Sequence, residues 1–162
     1  CNLTPAYGYA RRGERAYEGN PTAKGVRISA IGAISQKGLV TSFCFEGTLN
    51  GAVFTTFIEQ FLAPHLHKNT VLVLDNASVH KNKQAQTMIE ETGAQLLFLP
   101  PYSPQLNPIE YCWAKAKQVI RRKKPREKEE LYQAWFQALQ FIDPKLTHQC
   151  IKHSNSYNIN YD

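Results

Sequence analysis

Two early stretches alternate apolar and polar residues with the period of a strand. Over residues 26–35 (VRISAIGAIS), Val26, Ile28, Ala30, Gly32 and Ile34 share a face. Over 39–46 (LVTSFCFE), Leu39, Thr41, Phe43 and Phe45 do the same. The short Gln36-Lys37-Gly38 link predicts that the two form a hairpin. Residues 51–67 then switch to helical spacing, with Phe54, Phe57, Ile58, Phe61 and Leu62 on one stripe, and Pro64 predicts an end or a bend. Two short apolar runs, 71–74 (VLVL) and 96–99 (LLFL), have the length and content of buried parallel strands. A helix over 83–92 separates them, closed by Gly93.

After the second run, Pro100, Pro101, Pro104 and Pro108 fall within nine residues. Such a loop has little freedom to lose on folding, so it can hold the next element in place. Asn107-Pro108-Ile109-Glu110 then reads as an N-cap, a proline at the first helical position and an early acid. The helix so started buries Ile109, Cys112, Trp113, Ala116 and Ile120 and breaks at Pro125. A last helix over 128–142 carries Leu131, Trp135, Ala138, Leu139 and Ile142 on one stripe, and Asp143-Pro144 stops it. The end, 154–162, is polar and predicted to be loose. Upstream of the hairpin, residues 1–25 predict a strand or hairpin with a basic turn at 11–13. Antiparallel strands followed by alternating β and α elements indicate an α/β fold with a mixed sheet.

Composition refines this reading only in places. At 162 residues, 43% hydrophobic and 20% charged, the chain suits one ordinary globular domain. No run of 18 apolar residues exists, so a membrane partner is not expected. The chain opens on Cys1 and its single methionine is Met88, which reads as a piece of something longer. Its four cysteines lie far apart without a C-x-x-C pair, which argues for reduced thiols over a zinc knuckle or disulfide framework. The net charge of +6 is uneven. Residues 115–128 hold eight Lys/Arg and one acid, a local +7, so the remainder sums to about −1. A basic stripe of this kind suggests a polyanion; the plain alternative is a solvated helix end that favours cations.

Candidate chemistry centres on two acids. Asp75 ends the first apolar run and Glu110 opens the helix after the proline loop. Two-metal phosphodiester chemistry needs hard oxygen ligands holding ions about 3.5–4 Å apart, and Mg²⁺ suits such ligands. Two carboxylates rarely suffice, and the remaining aspartates, Asp143 and Asp162, stand where no strand aims them at Asp75. Glu46 ends a strand but alternates onto the face of Val40, Ser42 and Cys44. Asn76 reads as shaping the turn after the strand or standing near the site. His80 reads as a structural histidine or one close to metal or phosphate. The other histidines show no ligand spacing. Trp113 and Trp135 read as core residues rather than base-stacking platforms. Tyr102 and Ser103 could touch DNA from the stiff loop, though turn chemistry already accounts for Ser-Pro there. Lys115, Lys117, Arg121, Arg122, Lys123 and Lys124 are the candidate phosphate contacts, which would make binding salt-dependent.

LVLDNASVHK together with LLFLPPYSPQLNPIEYCWAKAK closely resembles the mariner-like superfamily of DDE transposases, in its bacterial insertion-sequence branch. YGYARRGERAY, the hairpin and FEGTLNGAVFTTFIEQFL are similar to that family too, so the likeness runs from about residue 2 to 125. The resemblance implies a ribonuclease H-like mixed sheet flanked by helices, with a catalytic domain over 1–125 and a C-terminal helix and tail over 126–162. It implies a nuclease that cuts double-stranded DNA at transposon ends and joins a 3′ hydroxyl to target DNA, using two Mg²⁺ ions, or Mn²⁺. Asp75 and Glu110 would be the second and third acids of a triad, as catalytic residues and metal ligands, with Asn76 and His80 as candidates behind them. The first acid lies on the family's first, central strand, expected before Cys1. Without that strand the two halves of the sheet cannot pair directly, so 1–162 alone is expected to be poorly stable and to lack normal strand transfer. A homodimer bridging two DNA ends and a bacterial cytoplasmic, nucleoid-associated location are further implications of the likeness. The rival expectation is a non-catalytic DNA-binding remnant of a decayed or frame-interrupted element.

Overall fold

The computed structural model describes residues 28–157 together with Arg12. The rest of the expected strand or hairpin over 1–25, Val26 at the head of the first strand face and the end of the polar tail lie outside the described residues. Strands β1 (Ile28–Ser35) and β2 (Gly38–Glu46) form the expected antiparallel hairpin. Gly38 takes the turn at φ 111°, a left-handed conformation that favours glycine.

The register slips between Ala33 and Ile34: Ala33 pairs with Thr41 but Ile34 pairs with Leu39. Val40 is the extra residue, a β-bulge. The strict alternation that puts Leu39 with Phe43 and Phe45 therefore fails at the bulge. Val40, Phe43 and Phe45 join Ile31 and Ala33 in one cluster, while Leu39 sits with Ile34 on the opposite side. Both faces of the hairpin are thus packed, and it forms a middle layer.

On the first face lies a long helical segment. α1 (Gly51–Phe57) is capped by Asn50, whose side chain accepts from the Val53 N–H at 3.0 Å. It continues as a π turn (Ile58–Leu62) and a 3-10 turn (Ala63–His65). Pro64 explains the change: it has no N–H to offer and its ring crowds the preceding turn. The Ala63 N–H instead reaches the Ile58 carbonyl five residues back. Phe54, Phe57, Ile58 and Leu62 are buried there, with Ala85 and Ile89 of α2 (Lys83–Glu91).

Strands β3 (Val71–Leu74) and β4 (Gln95–Phe98) pair in parallel, as expected, with Leu74 opposite Phe98. They are not buried on both faces. Leu72, Leu74 and Leu96 pack on the α1–α2 cluster, whereas Val71, Val73 and Leu97 are exposed. The reason is geometric: helices cover one side of this pair and none of the described elements covers the other. Among the described residues the hairpin and the parallel pair are separate two-stranded sheets, joined through the helices rather than by strand hydrogen bonds.

The hairpin's second face meets three helices, α3 (Pro108–Lys123), α4 (Lys128–Leu139) and α5 (Pro144–Asn155). Trp113 packs on Gly32 and against Trp135, ring centroids 5.3 Å apart, so both tryptophans are packing residues. α3 ends at Lys123, and Lys124 takes the left-handed conformation of a helix end at φ 49°, followed by Pro125, which cannot continue the helix. α4 stops at Leu139 rather than 142. α5 is absent from the sequence reading, although Asp143-Pro144 starts it: the Asp143 carboxylate accepts from the Leu146 N–H at 2.7 Å. Ser154, expected in a loose tail, is buried in this helix.

Candidate active site and basic faces

Asp75 leaves β3 where the parallel pair ends, and the Leu99 N–H donates to the Leu74 carbonyl at 2.8 Å to close that edge. The Asp75 Oδ1 atom accepts from the Ala77 N–H at 3.1 Å, an Asx turn that fixes the carboxylate over its own loop. His80 Nδ1 lies 2.7 Å from the same oxygen. His80 sits on a short 3-10 turn (Ser78–Lys81), its ring 4.8 Å from that of Phe54 and its side chain only 15% exposed. Its carbonyl accepts from Gln86 Nε2 at 3.2 Å, which ties the turn to α2. The His80 imidazole therefore touches both Asp75 and the Phe54 ring.

One oxygen of Asp75 is committed twice over, while the side chain is still 40% exposed. Oδ2 is thus the oxygen left for an external ligand. Beside it, the Asn76 amide oxygen is buried without a partner among the described residues.

Glu110 follows the proline loop that leaves β4. It is exposed in the first turn of α3, where the helix dipole favours a carboxylate. Asn107 holds the N-cap position, but its side chain makes no capping bond; its backbone carbonyl accepts from the Glu110 N–H at 3.2 Å. The proline loop is pinned from behind. The Tyr111 hydroxyl donates to the Gln105 carbonyl at 3.3 Å, and its ring meets the His153 ring edge-on. Nothing in the sequence singles out Tyr111; aromatics that anchor a loop to a distant helix leave no local pattern. At the loop tip Tyr102 is fully exposed with φ 55°, a strained conformation for a non-glycine residue.

Among the described residues no three His, Cys, Asp or Glu side chains cluster closely enough to hold a metal ion. Glu46 is engaged elsewhere, ion-paired with Lys128 so that β2 is latched to α4, and that partner raises the Lys128 pKa. Asp143 is spent on its cap. Among the described residues the thiols offer no soft site: Cys44, Cys112 and Cys150 are free, and burial pushes Cys44 up to about 11 and Cys112 up to about 12.

The basic stripe is not one surface. Cys112, Ala116 and Ile120 form the buried line of α3. At 3.6 residues per turn, Lys117, Arg121 and Lys124 share a flank with Glu110, while Lys115 and Arg122 lie on the other flank. Lys115, Arg122 and Lys123 line a cleft of about 600 Å³ against α5. Lys123 and Lys124 border a second, toward α4, of about 560 Å³ with Glu129 and Glu130 on its rim.

Residues 2–132 match the family described as DDE superfamily endonuclease. The chain belongs to that family. A 75-residue stretch, 45% of this chain, is 27% identical to the insertion element IS630 uncharacterized 39 kDa protein of Shigella sonnei, of which it covers 22%. Among solved structures, the Mos1 mariner paired end complex with Mn is similar with a TM-score of 0.66 at 15% identity, over 93% of this chain and 51% of that one. The Mos1 strand transfer complex gives 0.63 at 16%, over 94% and 50%. This family member therefore spans about half the length of those solved relatives and shares their mixed α/β fold. The family is one of enzymes, and its chemistry uses divalent metal. No helix among the described residues is long and apolar enough to cross a membrane.

Proposed function

We propose that residues 1–125 carry a ribonuclease H-like transposase catalytic domain that cleaves double-stranded DNA at element ends and transfers the strand to target DNA. The observation that carries this reading is the state of Asp75. Two donors hold one carboxylate oxygen of an aspartate that leaves a parallel strand and stays 40% exposed, and Glu110 in the first turn of α3 is exposed as well. These are hard oxygen donors and fit Mg²⁺ or Mn²⁺. Two ions are proposed for the complete site, with a further carboxylate supplied from outside the described residues, since no third acid joins Asp75 and Glu110 within them. Bound there, the cations would activate the attacking oxygen and neutralise charge on the leaving one.

The chain's own residues do the positioning. His80 and the Ala77 N–H fix the rotation of Asp75 so that Oδ2 faces outward. The proline loop, braced by Tyr111, sets the entry angle of α3 and with it Glu110. Lys117 and Arg121, on Glu110's flank, take phosphates of the bound duplex. We extend the proposal to a pair of chains holding two DNA ends in the bacterial cytoplasm, on the strength of relatives described as paired end complexes. Residues 126–162 then serve as the C-terminal segment.

Mn²⁺ binding followed by electron paramagnetic resonance tests the site directly. Asp75→Asn and Glu110→Gln are each expected to weaken binding at least roughly tenfold with an unchanged circular dichroism spectrum. Binding that ignores both substitutions sinks the reading. A second reading, a DNA-binding remnant without chemistry, is favoured by the lack of a third acid among the described residues. It predicts salt-sensitive duplex binding that metal does not alter and no nicking of plasmid DNA in Mg²⁺.

A further inference from the structure

The cleft between α3 and α5 has a composition that duplex binding does not explain. Lys115, Arg122 and Lys123 reach it from α3, and Lys145 from the first turn of α5. Among the described residues none of these four cations is ion-paired. The one acid on the rim is Asp143, whose carboxylate is held by the Leu146 N–H. The cleft therefore carries a net positive charge.

Its floor is different. Val119 and Leu146 lie at the bottom and Phe141 stands at the lip, 62% exposed, between α4 and α5. Gln118 and Gln149 supply amides that can both donate and accept. Duplex DNA presents phosphates and sugars at its outer edge, and these would use the cations but not the aromatic or the apolar floor. An unpaired nucleotide has a flat apolar face as well as a phosphate, and cationic grooves with aromatic platforms are the usual way of holding one. Lys115 and Arg122 are seven residues apart, a rise of about 10 Å, which spans more than one phosphate of a strand. The cleft also lies across α3 from Glu110's flank.

We propose that the α3–α5 cleft is a second nucleic-acid site, which holds an unpaired DNA strand by its phosphates while Phe141 stacks on a base. It rests on the reading of the chain as a DNA-acting protein, and the two can fail separately.

Fluorescence anisotropy with a labelled single-stranded oligothymidine and a labelled duplex of equal length tests it on the 162-residue chain. Phe141→Ala should weaken single-strand binding by roughly fivefold or more and leave duplex binding within about twofold, while Phe141→Trp should retain it. Lys145→Gln should lower the single-strand salt slope by about 0.7. Lys117→Ala, on the other flank, should affect the duplex instead. Equal losses on both probes, or unchanged single-strand binding by Phe141→Ala and Lys145→Gln, would overturn the cleft as a single-strand site while leaving DNA binding intact. Failure of the unaltered chain to bind either probe would overturn the DNA reading and this inference with it.

Discussion

At the scale of single residues, the contact between His80 and Asp75 separates two roles that histidine could play. If it only fills space beside Phe54, His80→Phe should be neutral, since a second ring can stack there. If it fixes Asp75, that substitution should weaken Mn²⁺ binding roughly tenfold or more, and His80→Asn, which keeps a donor near the Nδ1 position, should restore part of it. Equal Mn²⁺ affinity in all three proteins would assign His80 to packing alone. Gly32 makes a purely structural counterpart. A Cβ there would sit 2.9 Å from the Thr41 carbonyl oxygen and 3.0 Å from the Trp113 ring, and the backbone atom cannot yield cheaply. Gly32→Ala is expected to cost about 1–3 kcal/mol, a fall of several degrees in melting temperature; an unchanged melting curve would show that the tryptophan moves aside. Asp75 and Glu110 are legible in the sequence because each stands at the junction of a clear element and a turn. The His80 contact is not, because a ring on a short 3-10 turn is aimed by a phenylalanine on a helix well upstream.

Elements are legible where one period runs uninterrupted, and misread where a single residue interrupts it. The bulge at Val40 moves Leu39 to the opposite face without changing the apolar count along the chain, whereas Pro64, expected to end or bend its helix, does so through a π turn. α5 escapes the sequence reading because Asp143-Pro144 reads as a stop when the same pair is also a start. α4 shows how strongly a start can be specified. The Glu127 and Glu130 side chains satisfy a reciprocal capping box, and Glu130 accepts from the Arg126 N–H at 2.7 Å and the Glu127 N–H at 3.3 Å. Those backbone donors lower the Glu130 pKa. A folded-state pKa below the unfolded value of about 4.3 gives stabilisation that is present above that value and lost as pH falls through the folded pKa. Hydrogen-exchange protection of the first-turn amides of α4 should therefore drop as pH falls below about 4.3, and Glu130→Gln should flatten the change. A profile identical in the two proteins would mean the box contributes nothing to fraying.

At the scale of the whole molecule, the decisive feature among the described residues is that two small sheets share a core without sharing a ladder. Ile31, Phe43 and Phe45 of the hairpin and Leu72, Leu74 and Leu96 of the parallel pair share one apolar cluster with α1, α2 and the π turn, with no strand hydrogen bonds between the sheets among the described residues. A two-stranded sheet is marginal by itself, and the parallel pair has the weaker support, since helices cover one of its faces. The sequence shows β-branched and leucine runs that suit burial on both sides, whereas Val71, Val73 and Leu97 are exposed. That mismatch between what the residues suit and where they lie yields a prediction. The 162-residue chain should bind a hydrophobic dye and self-associate as concentration rises, because an exposed apolar face beside open strand edges is a template for pairing. Val73→Lys with Leu97→Lys should suppress both without lowering the melting temperature, as both residues are exposed on the uncovered face. If the unaltered chain stays monomeric and dye-free, or if the double substitution unfolds it, that face is covered in solution, and the parallel pair is stabilised by contacts beyond α1 and α2.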